Sequence, residues 1–395
     1  MPFDAAKLKA DVNAFCEELR PAEELAYCER HFNDQLVPLA KKHNLLGMMV
    51  KPEYGGRGAD SVSYFNALIR IGREGTGPRT FFSGHLSIGA YPIQTWGSAE
   101  LKKKYLPRAV TGECILAFGL TEPDAGSNPL EMTTTYRETT DGYVLNGVKY
   151  LISNGGIAHA VVVFGYPEGA EPGPNRRVTA FVVDTNVQGF HAESFATNAK
   201  MGMPTSNTAM FEMDSVVVPK VNLLGEPGDG FRIAMGTLVS GRLSVAAGCQ
   251  GVIEDCLIES LEYAKMRSQH GKAIARHQLV QDHIAQIEID RIASESLLLR
   301  ASQAKDAWHA NPMDRELAKE VDQLAAKSKF FATNAAWRAA DRAVQIFGGR
   351  GWSTLYRPAR HLIDTRVCRI YEGTDEIIKL KVASALLGKE YEAFK

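Results

Sequence analysis

The feature that most constrains the fold is a change in hydrophobic period that occurs twice along the chain. Up to about residue 115, apolar residues recur at helical spacing, with Leu8, Val12 and Phe15 on one face. Residues 116 to about 225 instead carry short β-branched or aromatic runs, such as YVLNGVKYLIS, separated by Gly, Pro, Asn or Asp. Helical spacing returns from about residue 230. The pattern predicts an α+β multidomain protein in which a β-barrel-like, antiparallel middle domain (116–227) separates an N-terminal α-helical domain (1–115) from a C-terminal helical bundle (228–395).

Composition narrows the classes of function. The formal net charge is −1, so no global charge directs the protein to nucleic acid or to an anionic membrane. No apolar run approaches the roughly 20 residues of a membrane-spanning helix, and the acidic N-terminal segment lacks the apolar core of a signal peptide. The cysteines form no CxxC pair, which predicts free thiols in a reducing cytoplasm and no metal site. They are Cys16, Cys28, Cys114, Cys249, Cys256 and Cys368.

Four sequence motifs carry a more specific signal. They are LTEPDAGSN (120–128), RSQHGKAIARHQ (267–278), QIFGGRGW (345–352) and RIYEGTDEI (369–377). In type, order and separation they resemble the motifs of FAD-dependent acyl-CoA dehydrogenases, and the resemblance covers nearly the whole chain. It implies an FAD cofactor, an acyl-CoA substrate, a four-helix bundle in the C-terminal domain and a homotetramer built as a dimer of dimers. It also implies an electron-transferring flavoprotein as electron acceptor, although no motif identifies that partner.

The resemblance places the catalytic base at Glu372, in the segment Tyr371-Glu372-Gly373-Thr374. The implied reaction removes an α-proton from a CoA thioester. This proton is only weakly acidic, so a carboxylate must point at the α carbon and hydrogen-bond donors must meet the enolate oxygen. Some branches of the family hold the base on a central helix instead, where this chain has Gly241, so the sequence offers one base. Arg242 and Gly373 match substrate-contacting positions.

The cofactor positions fall into two sets. Thr121 and Ser127 offer hydroxyl groups to the polar parts of a flavin, and Ser127 also matches a substrate position. Leu151 replaces a family tryptophan beside the flavin ring, so we expect no aromatic wall there. The first set is Phe118, Leu120, Thr121, Gly126, Ser127, Leu151, Ile152, Ser153, Thr374 and Glu376. The second set matches positions that reach the FAD of a neighbouring subunit, and it consists of Arg267, Gln269, Gln278, Gln345, Gly348 and Gly349.

The acyl group is predicted less sharply. Arg79 and Ser83 fall where glutaryl-CoA dehydrogenases hold an arginine and a serine for the distal carboxylate, which favours a dicarboxylyl-CoA such as glutaryl-CoA or a substituted succinyl-CoA. The acid of decarboxylating enzymes is Gly72 here, so oxidation without decarboxylation is at least equally expected. Arg79 could instead cap its helix or pair with a protein carboxylate. A short-chain, branched, cyclic or aromatic acyl group is then the alternative.

Two functions of other classes stay open from the sequence. An acyl-CoA oxidase or a flavin monooxygenase on the same fold would pass electrons to oxygen, but Glu372 and the chain length argue against both. A scaffold without enzyme activity would not need the base and the hydroxyl groups that the chain keeps.

Overall fold

The computed structural model describes residues 3–171 and 177–391. Its first part is helical, as the sequence pattern predicts. Asp4 caps the first helix by accepting a hydrogen bond from the N–H of Lys7, and the face with Leu8, Val12 and Phe15 is buried. The helices are α1 (Ala5–Glu29), α2 (Leu36–Lys42), α3 (Ser61–Gly72), α4 (Thr76–Phe82), α5 (Tyr91–Trp96) and α6 (Ala99–Thr111).

Helices α4 and α5 are joined without a turn by a π-helical segment, Ser83–Ala90. Single π turns inside helices are often found at functional sites. This segment lies against the sheet: a Cβ atom at Gly84 would come 2.7 Å from Nδ2 of Asn154, and the same amide donates to the carbonyl of Phe81. The continuous helix from 76 to 96 therefore holds Arg79 and Ser83 at a fixed position against the end of a strand.

The middle region is one sheet of eight strands in the order β6-β7-β3-β2-β4-β5-β8, with β1 paired to β4. Most neighbours are antiparallel, as predicted, whereas β4 pairs in parallel with both β1 and β2. The strands are β1 (Leu116–Gly119), β2 (Thr135–Glu138), β3 (Gly142–Ser153), β4 (Ala160–Pro167), β5 (Thr179–Asp184), β6 (Phe190–Ser194), β7 (Thr208–Pro219) and β8 (Leu223–Leu224).

The last part is again helical. Three long helices pack on one another and α11 packs on α9, which gives the bundle its four helices. A two-stranded ribbon, β9 (Ser268–Gln269) with β10 (Lys272–Ala273), lies between α7 and α8. The helices are α7 (Gly230–Met266), α8 (Gln278–Ala310), α9 (Arg315–Phe347), α10 (Arg357–Thr365) and α11 (Asp375–Leu387).

Two hydrophobic cores organise these parts. The larger one joins the helices of both ends of the chain and one face of the sheet, and the smaller one lies within the sheet region. Among the described residues, no helix is both long and apolar enough to cross a membrane. The boundaries after residues 115 and 227 stay predictions, because the helices on either side of the sheet share a core.

Candidate active site

A cavity of about 120 Å³ lies where the three parts of the chain meet. The helix from 76 to 96 forms one wall, the ends of β1 and β3 form another, and α7 and the turn before α11 close the cavity. Its lining is Arg79, Thr80, Ser83, Gly84, Ile88, Phe118, Leu120, Thr121, Leu151, Ile152, Ser153, Leu238, Val245, Tyr371 and Glu372. Segments separated by up to nearly 300 residues thus contribute to one site, which the sequence spacing alone does not show.

Glu372 points its carboxylate into the space above Gly241 on α7. A Cβ atom at Gly241 would lie 2.5 Å from Oε2 and 2.6 Å from Cδ of Glu372, so only glycine leaves room for this carboxylate. Oε2 is buried and has no hydrogen-bond partner in the described part of the chain. Burial raises the pKa of Glu372 to about 7, against the opposing charges of Arg242, Arg79 and Lys329. Such a carboxylate can accept a proton near neutral pH.

The backbone around Glu372 is strained and is held on both sides. Glu372 has a φ of 56°, a left-handed conformation that non-glycine residues rarely adopt. Nε of Arg242 donates to the carbonyl of Glu372 at 3.2 Å, and Nζ of Lys329 donates to the carbonyl of Gly373 at 2.7 Å. Thr374 caps α11 by accepting from the N–H of Ile377. The bonds from Arg242 and Lys329 use the carbonyls of the turn, and the N–H of Glu372 donates to no described residue.

The sheet wall of the cavity depends on a buried ion pair directly behind it. Nζ of Lys149 lies 2.8 Å from Oε1 of Glu122, and both side chains are almost fully buried. Burial opposes ionisation of Glu122, but Lys149 and hydrogen bonds from Thr133 and Thr134 lower its pKa to about 2. The N–H of Tyr150 donates to the carbonyl of Thr121. The pair and this bond fix the end of β1 against the end of β3.

The residues predicted for the near side of a flavin separate into two groups. Phe118, Leu120, Thr121 and the segment 151–153 line the cavity. Leu151 has a φ of 59° at an irregularity of the β3–β7 pairing, and its side chain is 55% exposed. Gly126 and Ser127 lie on the exposed loop beyond Thr121, and Thr374 and Glu376 lie at the start of α11.

The residues present fit a flavin at this wall. The hydroxyl groups of Thr121 and Ser153 form no hydrogen bond within the described residues, although both line the cavity. A Cβ atom at Gly126 would meet nothing within 4 Å, so a ligand can approach this backbone closely. Phe118, Leu120 and Ile152 supply the apolar contact that a ring system needs.

The residues predicted to reach a neighbour's cofactor are not brought to this cavity. All six are exposed, and a Cβ atom at Gly348 or Gly349 would meet nothing within 4 Å. They lie on the ribbon after α7, at the first residue of α8 and at the end of α9: Arg267, Gln269, Gln278, Gln345, Gly348 and Gly349. Within one chain they form no site with Glu372.

Arg79 and Ser83 are both buried in the helix wall. Nη2 of Arg79 donates to the hydroxyl of Tyr371, Nε has no hydrogen-bond partner, and no carboxylate lies within ion-pair distance of this guanidinium among residues 3–171 and 177–391. The alternative of pairing with a protein carboxylate is therefore not observed. The stem and Nε of Arg79 pack on Gly248, where a Cβ atom would lie 2.6 Å from Nε and 2.8 Å from Cγ and from Cδ.

Sequence reasoning missed several residues of the site. Lys329, which holds the turn after Glu372, lies on the buried side of α9, and a lysine in an otherwise apolar stripe was the available signal. Gly248 and the contacts of Tyr371 and Cys368 gave no signal, because they depend on how α4, α7 and the 366–372 segment meet.

Comparison with known proteins agrees with this fold. The chain matches the family models "Acyl-CoA dehydrogenase, N-terminal domain" (residues 4–113), "middle domain" (117–216) and "C-terminal domain" (228–387). It is 37% identical over 373 residues to an acyl-CoA dehydrogenase of Bacillus subtilis, with 94% of each chain covered. It is 35% identical to the short-chain specific enzyme of Megasphaera elsdenii and 35% identical to the glutaryl-CoA dehydrogenase of Desulfococcus multivorans, each with 91% of this chain and 90% of the relative covered.

Solved structures give the same result. Butyryl-CoA dehydrogenase from Megasphaera elsdenii superposes with a TM-score of 0.90 at 33% identity, covering 98% of this chain and 100% of that one. A glutaryl-CoA dehydrogenase from Mycobacterium smegmatis in complex with FADH2 has a TM-score of 0.89 at 27% identity, with coverages of 100% and 97%. A chain from a structure on the electron transferring flavoprotein of Acidaminococcus fermentans has a TM-score of 0.89 at 32% identity, with coverages of 98% and 100%.

The helix–sheet–helix fold with its cavity carboxylate defines the class of flavin-dependent oxidoreductases that act on acyl thioesters. The chain belongs to the acyl-CoA dehydrogenase family. The predictions of this family, of its fold and of FAD as its cofactor are confirmed.

Proposed function

We propose that the protein forms the α,β double bond of an acyl-CoA thioester and that Glu372 is the base for the α-proton. The supporting observation is the carboxylate of Glu372, which faces the cavity with Oε2 unpaired and with its pKa raised to about 7. The free N–H of Glu372 can donate to the thioester carbonyl and stabilise the enolate oxygen. Arg242 and Lys329 keep the turn in position for both roles.

We further propose that both predicted sets of cofactor residues bind FAD, the first within the chain and the second from a neighbouring subunit. FAD, when bound, supplies the acceptor for the hydride that leaves the β carbon. The unpaired hydroxyls of Thr121 and Ser153 support this assignment at the cavity, as does the open backbone at Gly126. Ser127 and Gly373 are proposed to contact the substrate, together with Arg242.

The test of the base is Glu372→Gln, which keeps the shape of the side chain and removes its basicity. Anaerobic mixing with acyl-CoA should bleach the flavin of the wild-type protein, and the variant should bleach about 10²–10⁴-fold more slowly. Retained FAD absorbance serves as the control that the site is intact. A variant that keeps most of its bleaching rate would disprove the assignment. Rapid reoxidation of the bleached wild-type flavin by air, with release of peroxide, would favour the oxidase alternative.

For the substrate we propose an acyl-CoA with a second carboxylate. A buried guanidinium without a carboxylate partner is unfavourable unless a ligand supplies one, and Arg79 and Ser83 both line the cavity. A relative of similar identity is a glutaryl-CoA dehydrogenase. A short-chain monocarboxylic substrate is the second candidate, because a relative equally similar is short-chain specific.

The two candidates are separated by a panel of thioesters that includes butyryl-, isobutyryl-, glutaryl- and benzylsuccinyl-CoA. With a dicarboxylyl substrate, Arg79→Met should lower kcat/KM by about 10–100-fold, the range expected when a charged hydrogen-bond partner is lost. Because Arg79 also donates to Tyr371 and lowers the pKa of Glu372, the monocarboxylic thioesters measure the part of the loss that all substrates share, and the loss for the dicarboxylyl thioesters should exceed it. Bleaching by monocarboxylic thioesters alone in the wild-type protein would refute the role of Arg79.

We propose simple oxidation without decarboxylation. The position of the acid in decarboxylating relatives is Gly72, which lies where α3 crosses α7. A Cβ atom at Gly72 would lie 2.6 Å from the carbonyl oxygen of Gly248, so this crossing has no space for an acidic side chain. Product analysis after glutaryl-CoA oxidation should give the five-carbon enoyl-CoA without release of carbon dioxide.

The proposed partners are an electron-transferring flavoprotein and further copies of this chain, in a homotetramer. The similarity to a chain from a structure on such a flavoprotein supports the first. The homotetramer is supported by the exposure of the second cofactor set. It is also supported by exposed apolar side chains on α8, among them Leu279 and Ile289. Light scattering of the FAD-loaded protein tests the tetramer, and a monomer would contradict it. A cytoplasmic location stays a prediction.

A further inference from the structure

The turn 371–374 (the base turn) is held by an arginine that needs an anionic partner of its own. Arg242 lies on α7 and is buried, and its Nε donates to the carbonyl of Glu372 at 3.2 Å. A buried guanidinium is costly unless a carboxylate or several hydrogen bonds compensate its charge. Helix α7 supplies no such carboxylate nearby, because residues 230–253 contain no Asp or Glu. The carboxylate that faces Arg242 must therefore come from another element.

That carboxylate belongs to Asp322 on the neighbouring helix α9. Nη1 of Arg242 donates to Oδ1 of Asp322 at 3.4 Å, and among the described residues no other carboxylate lies within ion-pair distance of Arg242. Nζ of Lys381 on α11 lies 2.5 Å from the second oxygen, Oδ2. Each oxygen of Asp322 thus faces one cation, which restricts the rotation of the carboxylate although the side chain is 31% exposed.

Asp322 and Lys329 lie on one face of α9, because they are seven residues apart in the helix. Lys329 donates directly to the carbonyl of Gly373. Asp322 acts on the preceding carbonyl, that of Glu372, through Arg242. One helix face therefore holds two consecutive carbonyls of the base turn. A left-handed φ such as the 56° of Glu372 persists only where neighbouring contacts hold it.

We propose that Asp322 is a positioning residue of the active site: it fixes the guanidinium of Arg242, and thereby the backbone of Glu372, in the position that directs the carboxylate of Glu372 into the cavity. This inference rests on the proposed role of Glu372 as the base. Asp322 is not among the residues that line the cavity, so its effect on the reaction is indirect.

The first experiment compares Asp322→Asn, which removes the charge and keeps the shape, with Asp322→Glu, which keeps the charge. The probe is the thioester that bleaches the wild-type flavin fastest among butyryl-, isobutyryl-, glutaryl- and benzylsuccinyl-CoA. Asp322→Asn should bleach about tenfold more slowly, near the lower end of the cost of a lost charged hydrogen bond. Asp322→Glu should recover most of the rate, because its longer side chain can still reach Arg242.

The matched control is Glu320→Gln. Glu320 lies on the same helix as Asp322, and its ion pair among the described residues is with the exposed Arg300 on α8, at 3.5 Å. This exchange removes a negative charge from α9 without touching Arg242, so the bleaching rate should change less than about twofold.

A second experiment tests whether the effect passes through Arg242. In an Arg242→Gln background, Asp322→Asn should slow bleaching little further, because the guanidinium on which Asp322 acts is gone. Losses that multiply in the double variant would show that Asp322 acts by another route and would overturn the inference.

The third experiment measures the pH profile of bleaching, which a merely structural role would not move. Three cations lower the pKa of Glu372, and they are Arg242, Arg79 and Lys329. Without the carboxylate of Asp322 the charge of Arg242 is less compensated, so the acidic limb of Asp322→Asn should move to lower pH. Lys381→Met removes a cation beside the same carboxylate and should move the limb to higher pH. A slower rate without any movement of the limb would reduce Asp322 to a structural role and overturn the inference.

The remaining outcomes separate this inference from the proposed function. A wild-type rate in Asp322→Asn, or an equal loss in Asp322→Glu, would refute the inference alone if Glu372→Gln is inactive. If Asp322→Asn does not fold, an unmoved limb in Lys381→Met would refute it. If Glu372→Gln keeps its bleaching rate, the proposed base fails, and the role of Asp322 fails with it.

Discussion

Two sets of residues match cofactor or substrate positions of the same family but lie in different surroundings. One set lines the central cavity, and the other lies on the 267–278 and 345–349 segments. The first set converges from three parts of the chain on a largely buried site with strained backbone at Leu151 and Glu372. The second set is exposed and contacts none of that site. One chain thus brings the first set together by itself, whereas the second set faces outward, which is the arrangement that the proposed binding of a neighbouring subunit's FAD requires.

The largest effect is expected where the cavity is tightest. In Gly241→Ala the new Cβ atom would lie about 2.5 Å from the carboxylate of Glu372, so the base must move. Misplacement of a catalytic group by about 1 Å can cost about 10²-fold in rate, and we expect a loss of kcat of this size. Stopped-flow bleaching measures it. In a Glu372→Gln background, Gly241→Ala should cost little more, because no base is left to displace.

The second prediction concerns the exposed set. Arg267→Met should weaken FAD binding by about 10–100-fold, because a charged hydrogen bond to a diphosphate would be lost. The rate of bleaching with FAD fully bound should change little. Equilibrium titration with FAD measures the affinity, and Arg276→Met, at an exposed arginine of the same segment, is the matched control. Equal FAD affinity in both variants would contradict the proposal that the exposed set binds FAD.

The smallest expected effect is a pH dependence of kcat that comes from Glu372 in the cavity and not from the exposed set. With a pKa of about 7, Glu372 is mostly protonated at pH 6, so kcat should fall about tenfold there relative to its plateau. Arg267→Met should leave the acidic limb of this pH profile unchanged.

The stability of the fold should also depend on pH, because the pKa of Glu372 in the folded protein is raised above its unfolded value near 4.5. Its contribution to stability is thus present below 4.5 and lost as the pH rises through 7. Glu372→Gln, compared by denaturant unfolding, should lack this loss.

Much of the site could be predicted because its residues have chemical or local signals. The alternation of helical and strand periods predicts the three parts of the chain, and the YEGT segment with Gly241 predicts one base. Leu151 was expected to replace an aromatic wall, and the structure adds that it is strained and partly exposed. Such a φ value cannot be read from leucine in a β run, since it arises from an irregular pairing with β7.

The sequence by itself determined the family and the order of helices and strands, and it predicted Glu372 as the base, because period and motif are properties of neighbouring residues. Only the tertiary structure decided the partners of Arg79. Helix α4 and the 366–372 segment bring the guanidinium of Arg79 to the hydroxyl of Tyr371, which also contacts Sγ of Cys368, and no carboxylate of the described residues forms an ion pair with Arg79. The packing of Arg79 on Gly248 and of Glu372 on Gly241 also depends on the tertiary structure. A close approach between distant segments of the chain produces no pattern in the sequence around either residue.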